Sequence, residues 1–250
     1  MRYSYKSIVE SLPKKKNSNS SWWVKLIIRK LSFPFTYLFI NLGFSPNAVS
    51  VVSIFAVLAA CVFFCLPGKG FLISAIVLTN LWLVLDCVDG NIARCRKQKT
   101  VFGEFVDDIG GYYIEALIYL AIAINAFDNG GILFEKGNQW IIIIGALSSI
   151  INVLSRLIYK DYGHFAINAD QSVQEEHTVD DKRSLYYIRN RVSKELGISG
   201  IFMPLVILCP FFNAYDLMTV FYFLFNGFAL LSTTVIYIYK ADSYDRKNQK

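Results

Sequence analysis

Three carboxylates and one arginine between residues 86 and 107 have the spacing of a site for a metal ion and a phosphate. Asp86 and Asp89 lie three residues apart at the end of an uncharged run that begins at residue 70. Residues three or four apart share one face of a helix, so the two carboxylates point the same way. Placing two like charges at the end of an apolar helix is costly unless a cation neutralises them. The pair therefore predicts a site for a hard divalent cation such as Mg2+ or Mn2+.

The residues that follow the pair favour a phosphate-bearing ligand. Gly90 and Ala93 leave a smooth strip on the same helix face, where a nucleotide can approach the backbone. Arg94 supplies a planar guanidinium group that matches phosphate geometry. Asp107 follows a short basic turn, so a second, antiparallel helix would bring it opposite the first two carboxylates.

A purely structural interpretation of these acids is also available. The carboxylates would then pair with Arg94, Arg96 and Lys97 and join neighbouring helices. An ion-pair network of this kind does not require small residues at Gly90 and Gly103, which the metal and nucleotide interpretation does.

The composition indicates that membrane helices position these residues. Of the 250 residues, 54% are hydrophobic and 18% are charged, which is typical of a polytopic membrane protein and excludes an ordinary soluble domain. The net charge of +6 suits contact with membrane lipids that are anionic, with phosphates or with nucleotides. No basic stripe with interleaved aromatic residues is present in the sequence, so we expect no nucleic-acid partner.

The apolar runs predict an all-α polytopic membrane protein with six transmembrane helices, preceded by an N-terminal interfacial helix. We expect the spans at residues 46–66, 71–94, 101–127, 140–159, 196–212 and 217–239. The first begins with Ser45 as helix cap and Pro46 in the first turn. Pro204 and Pro210 predict a kink or an end in the fifth. The resulting organisation is a mobile polar cytosolic tail (1–21), an interfacial amphipathic helix (22–44), a six-helix membrane domain (45–240) and a second cytosolic tail (241–250).

The distribution of positive charge predicts the orientation of the domain. All of the 25 lysine and arginine residues except Lys69 and Lys136 fall on the side of the termini and of the turn after Arg94. The positive-inside tendency therefore places both termini and the site in the cytoplasm. The polar insert at residues 160–194 lies on the same side. Its second half is either a short amphipathic helix at the mouth of the site or a plain linker.

The complete pattern resembles the signature of the CDP-alcohol phosphotransferases, which is Asp-x-x-Asp-Gly-x-x-Ala-Arg, eight residues, then Gly-x-x-x-Asp-x-x-x-Asp. Seven of its eight fixed positions are matched with the correct spacing. They are Asp86, Asp89, Gly90, Ala93, Arg94, Gly103 and Asp107. The eighth position, an aspartate in the family, is Gly111 in this chain.

The resemblance implies an enzyme that moves a substituted phosphate group from a CDP-alcohol to an acceptor hydroxyl and releases CMP, in the synthesis of lipids or lipid-linked glycans. Asp86, Asp89 and Asp107 would hold the metal, two Mg2+ or Mn2+ ions in the family. A nucleotide wall would consist of Asn47, Ser50, Gly90, Ala93, Arg94 and Gly103. The resemblance further implies a homodimer in a bacterial or archaeal cell membrane. The acceptor stays open between a soluble alcohol and a lipid or lipid-linked sugar.

The substitution at Gly111 removes the family's usual general base. Glu104, Asp108 and Glu115 are the nearby acids that can replace it, and substrate-assisted proton removal is a further route. Asp108 is slightly preferred because it lies at the depth of the metal site, although an ion pair with a basic residue is the alternative for it. A second explanation is that glycine opens space for a bulky acceptor.

Two other classes of function remain. A catalytically degenerate member of the family would still bind metal and nucleotide and would act as a partner or sensor protein. A small transporter would use the acids as an ion path. The transporter requires acids distributed along the membrane depth, whereas these cluster at the cytosolic end.

Overall fold

The computed structural model describes residues 3–98, 100–169 and 185–248, which form α- and π-helices without any strand. The helices, in chain order, are α1 (Tyr5–Glu10), α2 (Lys14–Ser18), α3 (Arg29–Asn41), α4 (Pro46–Phe64), α5 (Lys69–Arg96), α6 (Val101–Asn129), α7 (Trp140–Ala169), α8 (Leu185–Leu196), α9 (Met203–Phe212) and α10 (Tyr215–Asn248). Single π-helical segments, Val24–Ile28 and Ile198–Phe202, precede α3 and α9.

Six of these segments are long and apolar enough to cross a membrane, which confirms the predicted all-α polytopic fold. They are Pro46–Phe64, Lys69–Arg96, Val101–Asn129, Trp140–Gly163, Arg189–Phe212 and Tyr215–Arg246. Helix α4 packs against both α5 and α6, and α7 packs against α6 and α10. The outer face of α10 leaves large apolar side chains uncovered, for example Phe228 with 71% of its surface exposed, as expected of a face in contact with lipid.

The start of α4 has the Ser45 cap and the first-turn proline that the sequence predicts. Gly43 adopts a φ of 88°, a left-handed conformation that ends the preceding helix. The Ser45 hydroxyl then accepts a hydrogen bond from the Ala48 amide at 3.1 Å, and Pro46 occupies the first turn. This turn places the N-terminus of α4 beside the end of α5.

The N-terminal segment was expected to be a mobile tail, and this expectation is wrong for the described part. Residues of α1 and α2 are helical, and Ile8 is fully buried. The Tyr3 amide donates to Asn41 Oδ1 of α3 at 3.0 Å, and Ser11 contacts Cys95 near the end of α5. The segment lies on the domain because α1 presents an apolar side chain to α3 and α5.

The polar insert and the fifth span also differ in detail from the sequence expectation. Helix α7 continues through part of the insert to Ala169, residues 170–184 lie outside the described residues, and the second half forms the helix α8. The fifth span is interrupted at Gly200, whose φ of −106° and ψ of −117° are not helical, whereas Pro210 lies inside α9. The C-terminal segment, expected to be a tail from residue 241, continues α10 as far as Asn248.

Candidate active site

A tight turn places the end of α5 and the start of α6 on the same side of the domain. Lys97 adopts a left-handed φ of 51°, and the Gln98 amide donates to the Ala93 carbonyl at 2.9 Å, as in a Schellman motif. Thr100 then caps α6, because its Oγ1 accepts from the Gly103 amide at 3.0 Å. Side chains of the last turns of α5 thereby come near those of the first turns of α6.

The three predicted carboxylates come together at this end of the domain. The carboxyl groups of Asp86 and Asp107 lie within hydrogen-bonding range of each other, and Asp89 is a close electrostatic neighbour of both. Asp89 is buried, with 8% of its surface exposed, and Ser50 Oγ of α4 donates to its Oδ2 at 2.6 Å. The juxtaposition of like charges from two helices is destabilising unless the carboxyl groups share a proton or bind a cation.

The ion-pair interpretation of these acids is wrong for the described part of the chain. No lysine or arginine there forms a salt bridge with Asp86, Asp89 or Asp107. Arg94 donates instead to Asn91 Oδ1, and Arg96 donates to the Ile40 carbonyl at 3.4 Å.

Asp89 and Asp107 border a cavity of about 460 Å³, a volume within the usual range for ligand pockets. The cavity-lining residues that the sequence predicts as site residues are Asn47, Ser50, Asp89, Gly90, Ala93, Arg94, Gly103, Glu104 and Asp107. Asp86 borders a neighbouring cavity instead. The predicted nucleotide wall and two of the three predicted metal ligands therefore line one space.

Arg94 is held over the cavity wall by a partner that the sequence analysis missed. Asn91 is fully buried; its Oδ1 accepts from the Arg94 guanidinium, and its Nδ2 donates to Ser32 and Thr36 of α3 at 3.2 and 3.0 Å. The arginine lies across Gly90, where an added Cβ would be 3.3 Å from Nη1. The burial of Asn91 carries no distinct sequence signal, because Ser32 and Thr36, to which it donates, lie on another helix.

Gly103 permits a close approach between α4 and α6. A Cβ at this position would lie 3.0 Å from both Asn47 Oδ1 and Thr100 Oγ1, closer than ordinary contacts. Thr100 Oγ1 donates to Asn47 Oδ1 at 3.4 Å in the same place. The motif glycine therefore lets Asn47 reach the cavity wall.

Lys16 of α2 borders the cavity and was not predicted. Its ammonium group faces Asp86 as well as Arg94 and Arg29, and it lines both this cavity and the neighbouring one. Partial desolvation, followed by the nearby guanidinium groups of Arg94 and Arg29, lowers the pKa of Lys16. The sequence shows a lysine triplet here, but it does not show that Lys16 lines the cavity, because that position depends on how the N-terminal segment packs.

The face of α6 that carries Gly111 is occupied by an arginine from α7. A Cβ on Gly111 would lie 2.5 Å from Nη1 of Arg156. Arg156 forms salt bridges of 3.0 Å with both Asp108 and Glu115 and stacks on the Tyr112 ring at 4.3 Å. The hypothesis that glycine opens space for a bulky acceptor is therefore wrong, because the guanidinium fills that space.

The three acids proposed as replacement bases lie in two different environments. Asp108 binds Lys160 at 2.7 Å in addition to Arg156, and neither Asp108 nor Glu115 lines the cavity. The ion-paired alternative for Asp108 is thus confirmed. Glu104 lines the cavity one turn before Asp107.

The donor set fits a metal ion whose coordination is completed by substrate. In the described ranges no three His, Cys, Asp or Glu side chains surround a common point. Two opposed carboxylates, Asp86 and Asp107, with Asp89 beside them, nevertheless provide the hard oxygen ligands that Mg2+ and Mn2+ prefer. Mg2+ is commonly bound through one or two carboxylates together with substrate phosphates.

Comparison with known proteins agrees with this geometry. The family described as CDP-alcohol phosphatidyltransferase matches residues 44–180, which is more than half of the chain, and the protein belongs to this family. A search of curated proteins found no match to the sequence. The family catalyses phosphotransfer from a CDP-alcohol in lipid synthesis and is generally metal-dependent. The matched region contains α4, α5 and α6 and therefore the whole cavity wall except Lys16.

Proposed function

We propose that this chain is an active transferase that moves a substituted phosphate group from a CDP-alcohol to an acceptor hydroxyl and releases CMP. The observation that carries the proposal is the cavity between α4, α5 and α6, where Arg94 and the carboxylates of Asp89 and Asp107 line the same space. A pyrophosphate requires positive charge along its oxygens and a polar wall for the nucleoside, and this cavity offers both.

The nucleotide part of the donor would occupy the wall formed by Asn47, Ser50, Ala93 and Gly103. Arg94, oriented by Asn91, would bind the pyrophosphate oxygens with its planar guanidinium. Gly90 keeps the helix surface low beneath that guanidinium. The donor would thus be held with its phosphates toward the carboxylates.

The carboxylates of Asp86, Asp89 and Asp107 would hold Mg2+ or Mn2+, two ions by family resemblance, and Ser50 fixes the Asp89 carboxylate for this task. A bound divalent cation neutralises the charge of the phosphate oxygens. Without such charge compensation, these three groups would repel both one another and the donor.

In the reaction, the acceptor hydroxyl oxygen would form a bond to the phosphorus next to the alcohol, and the bond from that phosphorus to the CMP oxygen would break. The proton of the hydroxyl must leave. Glu104 borders the cavity, whereas neither Asp108 nor Glu115 does, so we assign proton acceptance to Glu104.

The orientation and assembly belong to the same proposal. The asymmetric distribution of lysine and arginine supports a cytoplasmic position for both termini and the site. We further propose a homodimer in a bacterial or archaeal cell membrane, by resemblance to the family. The acceptor class stays a choice between a soluble alcohol and a lipid or lipid-linked sugar.

The experiment is a measurement of CMP release from purified protein in detergent with CDP-alcohols of different head groups, with Mg2+ or Mn2+ and with a chelator. We expect metal-dependent CMP release with at least one donor. The alternative function, a degenerate member that senses nucleotide and metal, predicts binding of CDP and of the cation without release of CMP.

A further inference from the structure

A second cavity, of about 420 Å³, lies beside the first and shares Lys16 with it. Asp86 borders this second cavity, whereas Asp89 and Asp107 border the first. Because Asp86 and Asp107 are within hydrogen-bonding range of each other, the carboxylate group lies between the two spaces.

The wall of the second cavity is positively charged. Three cationic side chains line it, Lys16, Arg29 and Lys194, against the single carboxylate of Asp86. The Lys194 ammonium donates to the Asn19 carbonyl, which leaves further N–H donors for a ligand. A cavity with this excess of positive charge selects an anion.

Arg29 is the strongest indication that a ligand is needed. Only 6% of its surface is exposed, and its Nε has no hydrogen-bond partner. Its side-chain contact is a long one, from Nη2 to Ser20 Oγ at 3.4 Å, and it forms no salt bridge with any carboxylate in residues 3–98, 100–169 and 185–248. A buried and unpaired guanidinium is destabilising, so such a group is normally matched by a bound anion.

We propose that the second cavity binds a phosphate-class anion carried by the acceptor, with Arg29, Lys16 and Lys194 as its ligands. The assignment to the acceptor rests on the function proposed above. In phosphoryl transfer the attacking and leaving oxygens are roughly in line across the phosphorus. Because the carboxylate group lies between the two cavities, an acceptor held by its anion in the second cavity would direct its hydroxyl across that boundary toward the reacting phosphorus and Glu104.

The site depends on the N-terminal segment. The Trp22 amide donates to Glu195 Oε2 at 2.9 Å, and Ser21 Oγ donates to the Ser199 carbonyl, so residues before α3 are attached to the last turn of α8 and to the segment after it. Lys16 and Arg29 precede residues 44–180, and Lys194 follows them. All three cations therefore lie outside the matched family region, and this anion site is a property of the chain beyond that region.

The test is calorimetric binding of inorganic phosphate to the full chain in detergent, for the wild type, Arg29→Gln, Lys16→Gln, Arg94→Gln and Lys30→Gln. Lys30 is an exposed neighbour of Arg29 that lines neither cavity, so its variant is the matched control. We expect Arg29→Gln to weaken phosphate binding about tenfold or more and Lys16→Gln several-fold, since charged hydrogen bonds are lost. Lys30→Gln should bind phosphate as the wild type does.

Equal phosphate affinity in the wild type, Arg29→Gln and Lys16→Gln would overturn the proposal, as would loss in Arg94→Gln alone, which would place phosphate in the first cavity. Lys16 is exposed, so its variant remains informative if Arg29→Gln fails to fold. Repeating the titration in phosphatidylcholine nanodiscs with and without phosphatidylglycerol distinguishes the source of the anion. Competition by phosphatidylglycerol indicates a lipid headgroup, and its absence indicates a soluble phosphate ester.

Titration of CDP with the same proteins separates this inference from the proposed function. If phosphate binds through Arg29 while neither CDP binding nor CMP release is found, the transferase assignment fails and the anion site stands. If CDP binds and CMP is released while Arg29→Gln keeps full phosphate affinity, the anion site fails and the transferase assignment stands.

Discussion

Helix α6 carries acidic side chains on two faces, and the faces differ in whether the fold supplies a positive partner. Toward α4 and α5, Asp107 lies against Asp86 without a salt bridge from any described residue. Toward α7, the neighbouring Asp108 is bound by Arg156 and Lys160. The adjacent residues Asp107 and Asp108 therefore differ in their neighbours, which are a carboxyl group for Asp107 and two basic side chains for Asp108.

The difference shows how a functional acid is distinguished from a structural one in this protein. Asp108 and Glu115 are compensated within the fold, and their charges connect α6 to α7. The carboxylates on the other face receive no salt bridge from any residue within the described ranges. A bound cation relieves the repulsion between them.

The largest expected effect is the loss of activity when a carboxylate is removed from the face of α6 toward α4 and α5. Asp107→Ala should reduce CMP release by a factor on the order of a hundred, because an oxygen ligand and its electrostatic effect are lost. Calorimetry should show loss of Mg2+ or Mn2+ binding in the same variant, and Asp86→Ala should behave alike.

Asp108→Ala is the matched control for this prediction, since it makes the same chemical change one residue along α6. We expect its metal affinity and CMP release to stay within a few-fold of the wild type, because its partners are Arg156 and Lys160. Equal loss of metal binding in Asp107→Ala and Asp108→Ala would show that the distinction between the faces is wrong. Unchanged metal binding in Asp86→Ala and Asp107→Ala would remove the site assignment itself.

A smaller effect is expected from Arg94→Lys. Lysine keeps the charge but loses the planar fork, so it cannot donate to Asn91 Oδ1 and bind phosphate with the fixed geometry of the guanidinium. Affinity for CDP should fall about tenfold, measured by calorimetry, while the melting temperature stays near that of the wild type. The control is Arg96→Lys, because Arg96 contacts a backbone carbonyl and lines neither cavity. A CDP affinity unaffected by Arg94→Lys would argue against a phosphate-binding role.

The arrangement on the face of α6 toward α4 and α5 was largely predictable from the sequence. The ion pairs on the face toward α7, called the paired face below, were not. Asp86, Asp89 and Arg94 lie on one helix at fixed spacing, and a short turn of known chemistry brings Asp107 to them, so local rules were sufficient. The position of Arg156 against Gly111 depends on how α6 and α7 pack, which no local pattern encodes. Arg29 and Lys16 reach their cavity for a similar reason, since the N-terminal segment folds back over residues far along the chain.

On the paired face, Arg156→Gln should affect stability more than chemistry. It removes the partner shared by Asp108 and Glu115, at a cost of about 1–3 kcal/mol. We expect the apparent melting temperature in detergent to fall by about 3–10 °C, with CMP release at low temperature within about twofold of the wild type. Glu115→Gln in the same background should add little, because its partner is already absent. A loss of CMP release comparable to that of Asp107→Ala would place Arg156 in the reaction.

The smallest effect is expected from Gly111→Asp, which restores the residue of the family pattern. The Cβ of the new side chain would lie 2.5 Å from Nη1 of Arg156, so the guanidinium must shift. That nitrogen is the far end of a flexible side chain, and the shifted arginine would pair with the introduced acid. The carboxylate would then be neutralised on the α7 side and would add little to the metal site. We expect metal affinity to change by less than about twofold, and combining the change with Arg156→Gln should free the acid and strengthen metal binding severalfold. Stronger metal binding or faster turnover in Gly111→Asp alone would contradict this expectation. It would show that the side chain at position 111 reaches the metal site, and that glycine there weakens the site by removing a carboxylate ligand.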